Sequence, residues 1–431
     1  MKQLLCIILL QLLTQSLSAQ FGTEHWLLRN CVISIAKNGK VEVTNIDKSI
    51  TGLNPFAICD ENNQMMVCGD FRGIYIGDEF TKLFDYTLGT SYVIQDLEDN
   101  SVFHILISKN NRNQSIMYKY TVAISKGSLG IIDVREYPLD NECWFFHANP
   151  KPNRNGYWVL MGYKKTSQIV IMSLEHNNIK TETTIDTGIE YFGTIDSKAQ
   201  TVGEHLYVSN GKNIEILDVD YDKLQIKPLK TLSGISGKYE FSKSGKYMYT
   251  LDYATNQMTI NQYETDALLD DNCTPLQTIT VSVQNPSGPI QDIKLGADGN
   301  IYIGRSNYNY LDRLVDVEST TPRYEEAYVD LQGGSFTHNF PNYCFAKQWI
   351  ESKTENCATI ISLLNTDSQI VDWDFGDGTH ESSGTQISHN YTTNGDYTVK
   401  TTTSDSNGKE SSIARTITVA ARPQNPVIIP E

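Results

Sequence analysis

A short pattern of strands and turns recurs six times along the chain and limits the folds that the chain can adopt. The shared plan is a short apolar strand, a polar turn, a strand that carries tyrosine or another aromatic residue, and then another strand. The centres of the second strands are Met66, Phe103, Trp158, Tyr207, Tyr249 and Tyr302. The intervals between them are 37, 55, 49, 42 and 53 residues, with a mean of about 47. That spacing matches one four-stranded blade of a β-propeller, at roughly 40–50 residues.

A propeller also explains how these segments bury their apolar faces. A single four-stranded meander cannot cover both faces of its own sheet, so blades stack around a common axis. The turns "KSGK" (243–246) and "ADGN" (297–300) carry glycine where a hairpin requires positive φ. Residues typical of strands and turns are abundant, and no long stretch has helical periodicity. The sequence therefore predicts an all-β protein.

The two ends of the repeat region each contain less than a blade. The segment "CVISIAKNGKVEVTN" (31–45) lies too close to the next repeat, and "YEEAYVDLQGGSFTHNFPNYC" (324–344) follows the last one. We expect these ends to pair, complete a seventh blade and close the ring, with His338 and Asn339 shaping the closing strand. A seven-bladed propeller over residues 20–348 is therefore predicted, with six or eight blades as alternatives.

The segment that follows the repeat region has a different composition and is dense in turn residues. Trp373 and Phe375 of "WDFGDG" lie on one face of a strand, because side chains alternate with a period of two. The pair Asp377-Gly378 supplies a tight turn, and "HNYTTNGDYTV" repeats this arrangement, with Tyr397 and Val399 on one face. With "SSIARTITVA" as the last strand, residues 350–421 are predicted to form a small β-sandwich.

These residues resemble a known family. The stretch "WDFGDGT", followed by "HNY" and "GDYTV", is similar to the PKD (polycystic-kidney-disease-type) domain, which implies an immunoglobulin-like sandwich over residues 349–421. In the first part of the chain, "FFHANPKPNRNGYWVL", "DIKLGADGNIYIGRSNYNYLD" and "HNFPNYC" resemble a propeller of exported Bacteroidetes surface proteins. That resemblance implies an association with gliding motility and type IX secretion. Such proteins usually end in a sorting domain, whereas residues 422–431 are predicted to be a Pro-rich linker or a truncated end.

The first nineteen residues have the pattern of a secretory signal peptide. A lysine, a short apolar run and small residues at Ser18 and Ala19 follow one another, and no later run approaches the length of a membrane span. We therefore expect an exported protein at the cell surface or outside the cell, with the periplasm as an alternative. The net charge of -16 would repel nucleic acid, which we do not expect as a partner.

The cysteines permit disulfides but indicate no metal site. Seven remain after residue 19, without a CxxC pair or zinc-ligand spacing. Cys344 and Cys357 are the best candidate pair because a bond between them would clip a linker. Cys59 and Cys68 flank a turn but fall out of direct register, and most of the other cysteines are interpreted as small buried apolar residues.

Candidate catalytic and metal-binding residues all have simpler interpretations. One group of aspartates, Asp218, Asp220 and Asp222, is assigned to a solvated strand face. A second group, Asp372, Asp374 and Asp377, is assigned to turns and strand edges. His147, beside three aromatic residues, is interpreted as a hydrogen-bonded residue of a packed strand. No GxSxG, HExxH or Gly-rich phosphate motif occurs. We therefore name no catalytic residue, no metal ligand and no cofactor, although paired carboxylates cannot be located from sequence.

The best binding candidates are Tyr308 and Tyr310 of "RSNYNYLDR", which are predicted to lie in a loop after a blade strand. Tyr and Asn form good contact surfaces for sugars and proteins. The leading hypothesis is a non-enzymatic surface or secreted binding and adhesion protein, with a propeller head for proteins or glycans of the cell envelope and the PKD domain as a spacer. The alternatives are an accessory subunit of an outer-membrane secretion or gliding complex and a propeller enzyme that acts on polysaccharide.

Overall fold

The computed structural model divides the chain into two compact units, one from Thr23 to Phe345 and one that contains Ala346–Glu431. The residues that the structure describes are 23–36, 38–46, 55–59, 65–70, 73–77, 81–85, 90–97, 99, 101–111, 114–125, 128–151, 155–175, 177–188, 198–209, 213–235, 238–254, 257–271, 273–282, 290–336, 340–341, 343–344, 349–355, 358–364, 370–404 and 410–419.

Within these residues, the first unit contains seven antiparallel meanders, numbered here as sheets 1 to 7 in chain order. Sheet 1 holds β1 (Thr23–Leu28), β2 (Cys31–Ala36) and β3 (Val41–Asn45). Sheet 2 holds β4 (Phe56–Cys59), β5 (Met65–Asp70), β6 (Gly73–Ile76) and β7 (Thr81–Asp85). Sheet 3 holds β8 (Ser91–Gln95), β9 (Val102–Asn111), β10 (Gln114–Ser125) and β11 (Ser128–Leu139).

The next four sheets have four strands each. Sheet 4 holds β12 (Cys143–Pro150), β13 (Tyr157–Tyr163), β14 (Gln168–Glu175) and β15 (Asn178–Asp186). Sheet 5 holds β16 (Ala199–Val202), β17 (His205–Ser209), β18 (Ile214–Asp220) and β19 (Gln225–Leu232). Sheet 6 holds β20 (Tyr239–Phe241), β21 (Tyr247–Ala254), β22 (Gln257–Glu264), a 3-10 turn (Asp266–Leu269) and β23 (Gln277–Ser282). Sheet 7 holds β24 (Ile290–Leu295), β25 (Ile301–Arg305), β26 (Tyr310–Val315) and β27 (Arg323–Asp330).

Each sheet contacts the next one, and sheet 7 contacts sheet 1, so the seven sheets form a closed ring. Six of the contacts are clusters of buried apolar side chains. Between sheets 3 and 4, the Tyr157 hydroxyl donates to the Gln95 carbonyl at 2.6 Å. The first unit is therefore a seven-bladed β-propeller, and the predicted fold class is confirmed.

The predicted positions of the blades are also confirmed in detail. Each of the six centres assigned from the repeat lies in the second strand of its sheet, from β5 to β25. Gly245 and Gly299, in the two turns predicted to need positive φ, have φ of +77° and +80°. Four aromatic centres, Phe103, Tyr207, Tyr249 and Tyr302, are fully buried, whereas Trp158 is partly buried. The repeat is thus the sequence signature of the strands that carry the apolar faces.

The way in which the ring closes differs from the expectation. The segment that begins "YEEAYVD" is not a loose end, because it belongs to β27, the fourth strand of sheet 7. The N-terminal strands instead pair with one another as the three strands of sheet 1. The ends meet through an isolated antiparallel bridge between Arg29 and Ser335 and through packing, with the Trp26 and Tyr302 ring centroids 5.4 Å apart. Side-chain burial therefore closes the ring without a shared four-stranded sheet.

A short segment after sheet 7 reaches towards the opposite part of the ring. First strands of neighbouring sheets contact one another, as β4 does β8 and β8 does β12, so these strands lie nearest the axis. The Phe340 amide donates to Asp292 of β24 at 2.8 Å. A few residues later, β28 (Tyr343–Cys344) pairs in parallel with β8 of sheet 3, on the edge away from β9. This segment therefore lies across the centre of the propeller.

The second unit contains two packed antiparallel sheets. One holds β29 (Trp349–Glu355), β30 (Ala358–Leu364) and β33 (Gln386–His389), and the other holds β31 (Val371–Asp374), β32 (His380–Ser383), β34 (Gly395–Ser404) and β35 (Glu410–Val419). Trp373, Phe375 and Val399 are buried between the sheets, with Tyr397 packed against them. Gly378, after Asp377, has φ of +89°. The predicted sandwich, its core residues and its tight turn are confirmed.

Some predictions fall on residues outside those described. They concern the signal peptide (1–19), the linker (422–431), His338 and Asn339, Cys357, and the domain boundary between residues 348 and 349. Among the described residues, no helix is long and apolar enough to cross a membrane.

Three glycines lie beneath phenylalanine rings near the ends of second strands. Phe56 is opposite Gly69, and Phe145 is opposite Gly162, in their sheets. A Cβ atom added to Gly162 would lie 2.2 Å from the Phe145 ring. A Cβ atom added to Gly304 would likewise lie 2.4 Å from the Phe336 ring. Glycine lets an aromatic ring cover the strand in each case.

Gly162→Ala is expected to lower the free energy of unfolding by about 1–3 kcal/mol, because the added methyl group displaces the Phe145 ring. Gly130→Ala is the matched control, since a Cβ atom there meets only the Ala123 carbonyl oxygen, at 3.9 Å. Urea unfolding followed by tryptophan fluorescence measures both variants. Equal losses of stability would contradict the close-approach role of Gly162.

Candidate functional site

The turn between β25 and β26 carries the predicted binding residues and is held rigidly by its backbone. The Asn307 amide donates to the Phe336 carbonyl at 2.7 Å, and the Phe336 amide donates to the Tyr308 carbonyl at 3.1 Å. The Leu331 amide donates to the Asn309 carbonyl at 2.8 Å. Asn307 has φ of +55°, a value that asparagine adopts more readily than most residues. The segment that follows sheet 7 therefore fixes the shape of this turn.

The two tyrosines of this turn lie side by side. Their ring centroids are 5.6 Å apart, at an interplanar angle of 53°. Both side chains are half-buried, whereas Asn307 and Asn309 are exposed. Tyr308 lies in the turn as predicted, but Tyr310 is the first residue of β26 and not part of the loop. Rings and amides thus form a mixed surface, defined here as the Tyr308–Tyr310 surface by residues 307–310.

A buried ion pair supports this surface from below. The Arg305 guanidinium carbon lies 3.7 Å from the Tyr308 ring centroid. Arg305 Nε lies 2.8 Å from Asp312 Oδ2, and the two side chains are 3% and 0% exposed. Burial is the largest single effect and lowers the pKa of Arg305, but Asp312 together with Tyr324 and Tyr308 holds that pKa above its ordinary value. The guanidinium is thus a fixed cation under the Tyr308 ring.

A second polar cluster lies near the axis of the propeller. Lys198 Nζ donates to Glu240 Oε2 at 2.7 Å and to the carbonyl oxygens of Tyr239 and Ile293. The other Glu240 oxygen accepts the Phe241 amide at 3.0 Å. Backbone and lysine donors therefore occupy the Glu240 carboxylate.

The pKa values of the carboxyl groups near the axis are shifted in different directions. Burial acts to raise the pKa of Glu240, but Lys198 and Lys294 outweigh it, so that pKa is lowered. Burial raises the pKa of Glu24 and of Asp292 despite nearby lysines. Groups whose pKa values are pushed apart are common at catalytic sites, but ion-pair networks within a fold have the same effect. The axial carboxylates accept hydrogen bonds from the protein itself, which favours the structural role.

A buried chain of polar residues crosses sheet 3. Asp96 Oδ2 lies 3.1 Å from His104 Nε2, and His104 Nδ1 lies 3.2 Å from Thr121 Oγ1. Lys119 Nζ donates to the same hydroxyl at 2.6 Å. The order carboxylate, imidazole, hydroxyl matches that of a nucleophile with its base. However, His104 is 1% exposed and Thr121 and Lys119 are 0% exposed, so a substrate cannot reach the hydroxyl. Sequence analysis missed these residues because they are scattered over a loop and two strands, with Asp96 after β8, His104 on β9, and Lys119 and Thr121 on β10.

The structure agrees with the simple interpretation of His147, which lies in β12 with its Nε2 2.8 Å from Thr201 Oγ1. In the second group, Asp374 and Asp377 act in turns, whereas Asp372 lies within β31. Asp374 accepts the Gly376 amide at 3.0 Å, and Asp377 accepts the Thr379 amide at 3.0 Å.

One aspartate of the first group does not lie where it was predicted. Asp218 and Asp220 belong to β18, but Asp222 lies in the turn that follows, not on the strand face. Asp220 is paired with Lys223, whose Nζ is 2.6 Å away. Among the described residues, no group of three or more His, Cys, Asp or Glu is placed to hold a metal ion.

The cysteines give one clear result. Cys59 pairs with Met65 and Cys68 pairs with Ala57, so the two cysteines are out of direct register as predicted. Cys31 is buried, and burial raises the pKa of its thiol to about 12. The proposed bond between Cys344 and Cys357 stays a prediction, because Cys357 lies outside the described residues.

Glu240→Gln is expected to cost about 3–5 kcal/mol of unfolding free energy at neutral pH, because it leaves the Lys198 ammonium without its counter-ion. The ionised form of Glu240 stabilises the fold above the ordinary carboxyl pKa of 4.5, and this stabilisation is lost as the pH falls through the lowered folded pKa. The difference between the wild-type protein and the variant should therefore shrink in acid. Denaturant unfolding at a series of pH values measures it.

Glu42→Gln is the control for an exposed pair, since Lys40 and Glu42 have side chains that are 68% and 50% exposed. It should cost at most about 1 kcal/mol. A loss for Glu240→Gln as small as that of the control would contradict the role of the axial pair.

Comparison with known proteins identifies the second unit. A family model described as PKD domain matches residues 350–421. The PKD1 domain of Vibrio anguillarum Epp is 29% identical, covers 18% of this chain and 94% of its own, and has a TM-score of 0.16. No curated protein matches the sequence.

Two larger solved structures resemble most of the chain. A protein from Bacteroides uniformis ATCC 8492, provisionally assigned as a 6-phosphogluconolactonase, is 12% identical, with 85% of this chain and 97% of that chain covered and a TM-score of 0.41. A functionally unknown protein from Desulfotomaculum acetoxidans DSM 771 is 12% identical, with 76% and 100% covered and a TM-score of 0.47. Likeness at this level transfers no activity to this chain. The family match and the sandwich together establish that residues 350–421 form a PKD domain.

Proposed function

We propose that this chain is a non-enzymatic extracellular binding protein of the adhesion type, in which the propeller binds proteins or glycans of the cell envelope and the PKD domain acts as a spacer. The PKD domain, which is typical of extracellular proteins, supports the location. The apolar N-terminal segment with small residues at its end supports export, to the cell surface or beyond it.

The rigid Tyr308–Tyr310 surface is the observation that carries the binding role. Tyrosine rings offer apolar area with a polar tip, and the exposed Asn307 and Asn309 add donors and acceptors. Backbone hydrogen bonds to Leu331 and Phe336 fix this surface before any ligand arrives. A preorganised surface loses less conformational entropy on binding, which favours affinity.

Two further observations support binding over catalysis. The Glu240 carboxylate near the axis is engaged by Lys198 and by backbone amides. The hydroxyl of Thr121 in the buried polar chain is 0% exposed. The carboxylate and the hydroxyl that would be best suited to act as a base and a nucleophile are therefore engaged within the fold or closed to substrates.

Tyr308→Ala and Tyr310→Ala are expected to weaken binding about tenfold or more each, as truncation of an aromatic anchor does in a binding surface. A glycan array and a pull-down from the cell envelope first identify the ligand, and titration calorimetry then measures the affinity. Tyr308→Phe should retain most of it, because the ring and its contact with Arg305 remain.

Tyr328→Ala is the matched control. Tyr328 lies in the same sheet, is 41% exposed and also packs against an arginine, with the Arg313 guanidinium carbon 3.3 Å from its ring centroid. It lies outside the Tyr308–Tyr310 surface, so its removal should leave the affinity unchanged. Equal effects of all three alanine variants, or turnover of a polysaccharide by the wild-type protein, would contradict the proposal.

A further inference from the structure

The outer strand of sheet 3 exposes more large apolar side chains than the other outer strands whose side chains the structure describes. Ile131, Ile132 and Val134 of β11 are 45%, 52% and 42% exposed. Elsewhere in the described part of the propeller, large exposed apolar residues occur singly. The exposed positions of β15, for comparison, include Lys180 and Thr181. Apolar side chains gathered on one strand mark an interaction surface more often than scattered ones do.

This strand also offers an open backbone edge. β10 and β11 each have 12 residues, more than any other described strand of the propeller. β11 is the last strand of its sheet, so its outer edge has no strand partner among the described residues. Unpaired amides and carbonyls on such an edge are able to accept another strand. A register shift leaves Ile132 without a residue opposite it on β10.

The sequence of β11 is complementary to itself in one antiparallel register. When two copies pair about a twofold axis at Val134, each Asp133 faces the Arg135 of the other copy. The Arg135 and Asp133 side chains already lie on one face, with Nε and Oδ2 2.8 Å apart, so the pairs would join into a four-charge network.

The neighbouring registers are less favourable. An axis at Asp133 places two aspartates opposite each other, and an axis at Arg135 does the same with two arginines. An axis midway between two residues would set side chains of opposite faces against each other, because successive side chains of a strand point to opposite faces. Like charges directly opposite destabilise a strand pair, so charge selects the axis at Val134.

We propose that β11 is the interface of a homodimer, in which two copies of this chain pair these strands antiparallel about a twofold axis at Val134. The apolar side chains supply buried surface, and the charges set the register. One pair of strands falls at the small end of interface sizes, below about 1,200 Å². The dimer is therefore expected to be weak and to form in a concentration-dependent manner.

A cysteine at the axis tests the register directly. In the wild-type full-length chain, analytical ultracentrifugation should show dimer growing with concentration. Val134→Cys should crosslink to a covalent dimer under mild oxidation or with a short thiol crosslinker, because residues opposite each other in an antiparallel pair have Cβ atoms about 4.5–5.5 Å apart. The wild-type chain sets the background from its native thiols.

Leu229→Cys is the matched control, since Leu229 is 38% exposed on β19, the outer strand of sheet 5. It should stay at the wild-type background. Arg135→Glu should weaken the dimer, because it sets like charges opposite each other across the axis. It leaves Asp133 in place, whose carboxylate lies 3.6 Å from the ammonium of the buried Lys119. Wild-type protein that is monomeric at all concentrations, equal crosslinking of the two cysteine variants, or an Arg135→Glu variant that dimerises as strongly as the wild-type protein would overturn the proposal.

Discussion

Burial of both faces of each meander against its neighbours is the constraint on which the structure depends. The central strands of the sheets are apolar on both sides, as the fully buried Val159 and Leu160 of β13 illustrate. A meander that stood alone would leave both faces in water, and an end meander of an open stack would leave one, at a cost of about 25 cal/mol for each Å² of apolar area. Only a closed ring removes every exposed face, so the ring and its individual blades stabilise each other.

The ring closes with few hydrogen bonds and much packing. Trp26 of the first sheet lies against Tyr302 and Phe340, at 5.4 and 4.9 Å between ring centroids. The bridge between Arg29 and Ser335 adds two backbone hydrogen bonds, at 3.1 and 3.2 Å. The sequence predicted that the two ends close the ring but not this mode of closure, because aromatic residues far apart in the chain show no pairing signal. It did predict the six second strands, since alternation and turn glycines are local features.

The distinction between local sequence features and long-range contacts also explains which polar residues could be predicted. Tyr308 and Tyr310 stand out locally, between asparagines and after a blade strand. Asp96, His104 and Thr121 come together only through the register of β9 and β10, in which His104 is opposite Thr121. A one-residue change in that register would turn every side chain of the strand to the other face. Composition and spacing do not fix a register of this kind, so this row of hydrogen-bonded polar residues could be identified only from coordinates.

Closure of the ring and rigidity of the Tyr308–Tyr310 surface depend on the same segment, Leu331–Phe336. Ser335 bridges Arg29 of the first sheet, while the next residue, Phe336, bridges Tyr308. The Phe336 ring also covers Gly304 of β25, so the segment is fixed by packing as well as by hydrogen bonds. Residues that join the two ends of the propeller thereby hold the exposed turn in one conformation. Local unfolding at the closure would loosen the turn as well, which couples ligand binding at this surface to the integrity of the ring.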